Sequence, residues 1–228
     1  MSEKLVVCIM GQNCEKFIDM CLESVKDADE IYYLDGGSVD NTMDKIVKFV
    51  ARTDKEVEIE MNEYKQEDRG MNGKQRNFYL GHLKAHYPDH WALCLDADEV
   101  VEDLSNIKKF IQTTPKGVYS VKMRHLIGDL VHEDAVRPKH MVYNRLFKVS
   151  EGDHYKEIEH PVLQPTRHQE SETDLKSNIL IKFTEDNTYA YMGETECTTI
   201  WHLSHISEMF SIKDKYENHM KKSEMHTP

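Results

Sequence analysis

The sequence predicts an α/β domain: a mostly parallel twisted sheet with helices on both faces, followed by a smaller antiparallel second half. Three observations predict it. Short apolar runs alternate with stretches of helical spacing through the first hundred residues, strand-like runs dominate beyond about residue 115, and no repeat, low-complexity tract or Pro- or Gly-rich linker divides the 228 residues. Strand-helix alternation implies right-handed crossovers and parallel pairing. A chain of this length buries a substantial core, and one continuous domain over 1–228 is expected.

The elements follow in order. Leu5 to Met10 is a short apolar run suited to a buried strand, and Phe17, Cys21, Leu22 and Val25 then recur at helical spacing. Ile31 to Leu34 reads as a second strand, and Met43, Ile46, Val47 and Val50 mark a second helix. Val57 to Met61 alternates as a third strand, Gln75 to His86 forms a third helix, and Trp91 to Leu95 is the fourth strand. In the second half Val118 to Met123, Met141 to Val149, Lys156 to Leu163 and Ile179 to Phe183 look like strands. Gln164 to Lys176 is expected to be an excursion, and helical spacing returns from Ser207 to Lys222, whose charged positions read as a solvated face.

Composition narrows the function. Lys plus Arg is 29 against 41 Asp plus Glu, a formal charge of −12. That balance disfavours nucleic acid and anionic membranes as partners, because clustered cations hold both. The apolar runs are far shorter than the roughly 20 residues that span a bilayer, so no transmembrane segment is expected. No signal peptide is visible, and a cytoplasmic location is expected. The cysteines, Cys8, Cys14, Cys21, Cys94 and Cys197, are odd in number and lack a C-x-x-C pair, so they read as buried free thiols. G-x-G-x-x-G, the P-loop and H-E-x-x-H are all missing, which removes the usual signals of dinucleotide, P-loop and zincin chemistry.

What remains lies at strand ends, where open α/β sheets bind ligands. The fourth strand runs into Asp96-Ala97-Asp98-Glu99. Two carboxylates one residue apart at a strand exit can face one small volume, and Mg2+ or Mn2+ takes such oxygen donors together with phosphate and water. A solvated acidic loop would read the same way. The second strand ends in Asp35-Gly36-Gly37-Ser38-Val39-Asp40-Asn41-Thr42. Its glycines permit close approach of a ligand, Asp35 can accept hydrogen bonds from a base or ribose, and Asp40 to Thr42 can cap the next helix. A tight strand-to-helix turn is the plainer alternative.

Five pieces carry a family resemblance: Val6 to Glu15, Cys21 to Val25, Asp29 to Thr42, Gly73-Lys74-Gln75-Arg76-Asn77, and Leu93 to Glu99. In this order over about 95 residues they resemble the family 2 glycosyltransferases with the single-domain type A nucleotide-sugar-binding fold. The Gly73 to Asn77 and Asp96 to Glu99 spellings look most like the lipopolysaccharide core glucosyltransferase branch. Residues 100 to 228 match loosely, through Asn144 to Lys148 and Trp201-His202. The resemblance implies a donor half at 1–99 and an acceptor half at 100–228. It implies that Met10, Asn13, Glu15, Asp35 and Gly36 line the nucleotide pocket, with Asp35 facing the base. Lys74 and Arg76 would lie beside the nucleotide or diphosphate, and Asp96 would face the ribose. Asp98 would be the principal protein ligand of a Mn2+ or Mg2+ ion, with Asp96 and His202 as further ligands.

The family often has a His-Glu pair after its Arg-Leu-Phe segment, whereas this chain reads Glu157-Ile158-Glu159-His160-Pro161. An inverting transfer needs a base near the acceptor hydroxyl. Glu159 is the first choice, with Glu157 and Asp129 behind it. His202 beside Trp201 is either a metal ligand or a packed histidine, and Arg145 reaches either a phosphate or an ion-pair partner. The expected reaction is metal-dependent inverting transfer from a nucleoside diphosphate sugar, uridine by preference, to a glycan or glycoconjugate hydroxyl. A sugar-phosphate nucleotidylyltransferase and a non-catalytic sugar- or nucleotide-binding module are the rivals. The chain could be one module of a longer polypeptide.

Overall fold

The computed structural model describes residues 3–65, 72–114, 117–128, 132–133, 144–155, 180–181 and 191–205. In chain order the elements are β1 (Leu5–Gly11), α1 (Ile18–Ser24), β2 (Glu30–Asp35), α2 (Thr42–Val50), β3 (Glu56–Met61), α3 (Asn72–His86) and β4 (Trp91–Asp96). They continue with β5 (Glu99–Val101), α4 (Leu104–Thr113), β6 (Val118–Ile127), β7 (Asn144–Lys148), β8 (His154–Tyr155), β9 (Leu180–Ile181) and β10 (Tyr191–His205).

Side-chain alternation along the central strands sets the layers. Leu5, Val7 and Ile9 of β1 join Ile31, Tyr33, Leu93 and Leu95 in one buried cluster, whereas Val6 and Cys8 join Tyr32, Leu34, Ala92 and Cys94 in another. Successive residues of a strand face opposite ways, so strands apolar at both parities must be covered on both sides. Helices α1, α2 and α4 cover the first face through Ile18, Leu22, Ile46, Phe49 and Ile107, and α3 covers the second through Tyr79, Leu80 and Leu83.

One eight-stranded sheet has the order β3-β2-β1-β4-β7-β6-β10-β5. The first four pair in parallel, with Cys8 opposite both Tyr32 and Cys94. Strand β7 runs antiparallel to β4 and β6, and β5 runs antiparallel to β10. The expected parallel first half and antiparallel second half are therefore present, with one parallel pair, β6 and β10, added in the second half. The chain leaves β1 for β2 on one side and later returns to β4 on the other, which makes a topological switch point beside the carboxyl end of β1.

Among the elements not read from sequence is α4, although Leu104, Ile107 and Ile111 recur on one face and the Asp103 carboxylate caps its start by accepting from Ser105 N at 2.9 Å. The strand-like Lys156 to Leu163, the Gln164 to Lys176 excursion and the Ser207 to Lys222 helix lie outside the described residues. The five cysteines are free thiols, with Cys8, Cys21 and Cys94 buried and Cys14 and Cys197 half-buried. Among the described residues no helix is long and apolar enough to cross a membrane.

Candidate functional site

The carboxyl ends of β1, β2 and β4 open into a cleft of about 370 Å³. Met10, Gln12 and Cys14 form one wall, Leu34, Gly36, Tyr64 and Gln75 another, and Asp96, Ala97, Asp98 and His202 the third. Backbone bonds join the walls, with Gly36 N donating to Gly11 O at 2.8 Å and Ala97 N to Met10 O at 2.9 Å, and Tyr64 N closes the second wall by donating to Gly36 O at 2.8 Å. Gln12 Nε2 reinforces them by donating to the carbonyls of Gly36 and Tyr64 at 2.8 and 3.1 Å. Gly11 is required where it stands, because a Cβ there would lie 2.5 Å from Ala97 Cβ.

The rim is held by the residues expected to line the pocket. The buried Asp35 carboxylate accepts from Gly37 N, Ser38 N and Ser38 Oγ at 2.8, 2.7 and 2.6 Å. Gly37 has a φ of +89°, a conformation glycine adopts without strain. Asn13 Oδ1 accepts from Val39 N at 2.8 Å, and Glu15 Oε2 accepts from Asn41 N and Nδ2 at 3.1 and 2.8 Å. Asn13 and Glu15 thus tie the loop after β1 to the loop after β2, while Met10 and Gly36 line the cleft itself.

Arg76 is sequestered behind the cleft. Its Nη2 donates to Asp96 Oδ1 at 2.7 Å, and Arg145 Nη2 approaches Asp96 Oδ2 at 3.1 Å and Glu99 Oε1 at 2.5 Å. Both guanidinium groups and Glu99 are buried. Burial acts to raise the Asp96 carboxyl, but the Arg76 and then the Arg145 charge outweigh it and hold the group well below the usual carboxylate range. For Glu99, burial wins over Arg145 and, with Asp96 and Asp98 nearby, pushes its carboxyl up to about 8. Of the two readings of Arg145, the ion pair is present, with Asp96 and Glu99 as its partners. Lys74 is exposed on the first turn of α3.

The geometry divides the Asp96-Ala97-Asp98 stretch by role. Asp96 is gripped from behind by two arginines, while Asp98 faces His202, with Asp98 Oδ2 3.6 Å from His202 Nε2. The main chains are tied as well, since Leu203 N donates to Asp98 O at 2.8 Å. Two ligands each about 2.1 Å from one cation stand roughly 3 to 3.6 Å apart at ordinary coordination angles, so this pair fits a shared Mg2+ or Mn2+. Among the described residues no group of three His, Cys, Asp or Glu side chains forms a ready cage. A carboxylate and an imidazole that leave the remaining positions to phosphate and water suit such an ion.

Met10, Gly36, Asp96, Asp98 and His202 are thus brought together. Asp129, Glu157 and Glu159 lie outside the described residues. Sequence reasoning missed Gln12, Cys14, Tyr64 and Gln75. Three of these stand inside the quoted motifs, and Tyr64 follows the end of β3 much as Gly36 follows β2.

Residues 6–168 match the family described as Glycosyl transferase family 2. No curated protein matches the chain. Among solved structures, Staphylococcus aureus TarS 1-349 in complex with UDP-GlcNAc aligns with a TM-score of 0.52 at 19% identity, covering 85% of this chain and 59% of that one. The same protein in complex with UDP aligns with a TM-score of 0.52 at 18% identity, covering 83% of this chain and 60% of that one. At this identity the likeness is one of fold. The chain spans about three fifths of the length of those structures.

Proposed function

Because the chain belongs to glycosyl transferase family 2, we propose that it moves a sugar from a uridine diphosphate sugar to a hydroxyl of a glycan or glycoconjugate by a metal-dependent, inverting displacement. The observation that carries this reading is the convergence of Asp98 and His202, 3.6 Å apart, at the carboxyl ends of the parallel strands. The TarS fold match, to a protein in complex with UDP-GlcNAc and UDP, supports the uridine donor.

In this reading the nucleotide occupies the cleft between Met10, Gly36 and Tyr64. The Asp35 turn shapes the base end, and Lys74 approaches the phosphates from α3. Asp98 and His202 hold the divalent cation, and Arg76 and Arg145 keep Asp96 ionised beside them. A bound Mn2+ or Mg2+ supplies Lewis-acid stabilisation of charge on the diphosphate. The acceptor oxygen forms a bond to the anomeric carbon as the bond from that carbon to the diphosphate oxygen breaks, and the electron pair leaves with the nucleotide. Glu159, or Glu157 or Asp129 in its place, takes the hydroxyl proton.

The half from residue 100 onward supplies the acceptor side. The Gly73 to Asn77 and Asp96 to Glu99 spellings favour the lipopolysaccharide core glucosyltransferase branch, and the free thiols suit a reducing, cytoplasmic setting. Release of free UDP from a UDP-sugar, dependent on Mn2+ or Mg2+, is the direct assay. It separates transfer from a binding module, and release of pyrophosphate instead would mark a nucleotidylyltransferase.

A further inference from the structure

His202 does not meet Asp98 unaided. Strands β6 and β10 run parallel with His125 directly opposite His202, so both rings rise from the same face. His125 Nδ1 lies 3.2 Å from His202 Nδ1, and the rings meet edge to face with centroids 4.8 Å apart. His125 is 9% exposed. From this arrangement we infer that His125 is a positioning residue, which fixes the tautomer and aim of His202 so that the His202 Nε2 lone pair faces the cation site beside Asp98. The inference rests on the reading of Asp98 and His202 as the cation-holding pair.

The protons available to the two rings fix the arrangement. A neutral imidazole has one N–H and one lone pair, and two facing Nδ1 atoms at hydrogen-bond distance share a single proton. A cation ligand must present its lone pair, so a ligating His202 Nε2 requires the proton on His202 Nδ1. That N–H then donates to His125 Nδ1, which holds its own proton on Nε2. The separation of 3.6 Å between His202 Nε2 and Asp98 Oδ2 is too long for a hydrogen bond, so Asp98 does not set the opposite tautomer. Partners that orient a ligating histidine in this way typically govern metal affinity about 10- to 100-fold.

The test is Mn2+ affinity of the full chain, read by electron paramagnetic resonance in the presence of UDP, with thermal melting as the check on folding. His125→Leu removes the acceptor and should weaken Mn2+ binding by about 10- to 100-fold. His125→Asn places an amide oxygen near the position of Nδ1 and should restore most of the affinity. Wild-type affinity in His125→Leu, with weakened affinity in His202→Ala, overturns the inference and leaves the cation site standing. Wild-type affinity in His202→Ala overturns the cation site and the inference with it. Nitrogen-15 NMR of the wild-type imidazoles, well above their titration range, decides the matter even if His125→Leu fails to fold. The proton should reside on His202 Nδ1, and a proton on His202 Nε2 overturns the inference.

Discussion

Arg76 Nη2 lies 2.7 Å from Asp96 Oδ1, which joins the start of α3 to the end of β4 through one ion pair between a buried guanidinium and a half-buried carboxylate. Two stretches that look like separate ligand-binding motifs in sequence are therefore halves of one support. Arg76 also donates to Tyr79 Oη at 3.1 Å, and Arg145 closes the far side of Asp96.

Arg76→Met should lower unfolding stability by roughly 1.5 to 3 kcal/mol, the usual worth of a hydrogen bond to a charged group, because Asp96 keeps Arg145 and its opening to the cleft. Urea unfolding measures this. The Asp96 carboxyl is depressed in the folded protein, so the stability the pair contributes is complete above the unfolded value of about 3.9 and is lost as pH falls below it. Wild type and Arg76→Met should accordingly converge in acid.

Gly11→Ala puts a methyl group where Ala97 Cβ is 2.5 Å away and Cys14 Sγ is 3.0 Å away. The strand end carrying Asp98 must shift to admit it. Overpacking of this kind typically costs about 1 to 3 kcal/mol, and Mn2+-dependent UDP affinity should fall alongside thermal stability. Unchanged values for both would mean that the β1 and β4 ends are not held in register by this contact.

The layering was legible because it follows from local pattern: both parities of Leu5 to Ile9 and of Trp91 to Leu95 are apolar, which a doubly covered parallel strand requires. The cleft was legible for the same reason, since strand ends follow once the strands are known. The roles within the motifs were less so. The turn in which Asp35 accepts from Gly37 and Ser38 was already one reading of its glycines, but nothing in the spelling of Arg76 says that it is buried against Asp96. Such pairings depend on which side chains a fold brings together across 20 residues or more. His125 was invisible for a further reason: its meaning comes from the parallel pairing of β6 with β10, two strands far apart in the chain.

Glu159→Gln should slow turnover by about 10²- to 10⁴-fold, the usual contribution of a general base, while UDP and Mn2+ affinity stay near wild type. Steady-state kinetics beside calorimetry measures the separation. Normal turnover in Glu159→Gln together with loss in Glu157→Gln or Asp129→Asn transfers the role to that neighbour. Full activity in all three rules out a base drawn from this set.

The most direct measurement is calorimetric UDP binding by wild type and Asp98→Asn, each with Mn2+ and with excess chelator. The Asp98 side chain stands at a strand exit facing His202 rather than in either apolar cluster, so the variant should fold. Mn2+ should strengthen UDP binding to wild type at least about tenfold, a coupling of about 1.4 kcal/mol, and leave Asp98→Asn unchanged. Equal UDP affinity in wild type with Mn2+ and with chelator, or full Mn2+ enhancement in Asp98→Asn, would contradict this expectation.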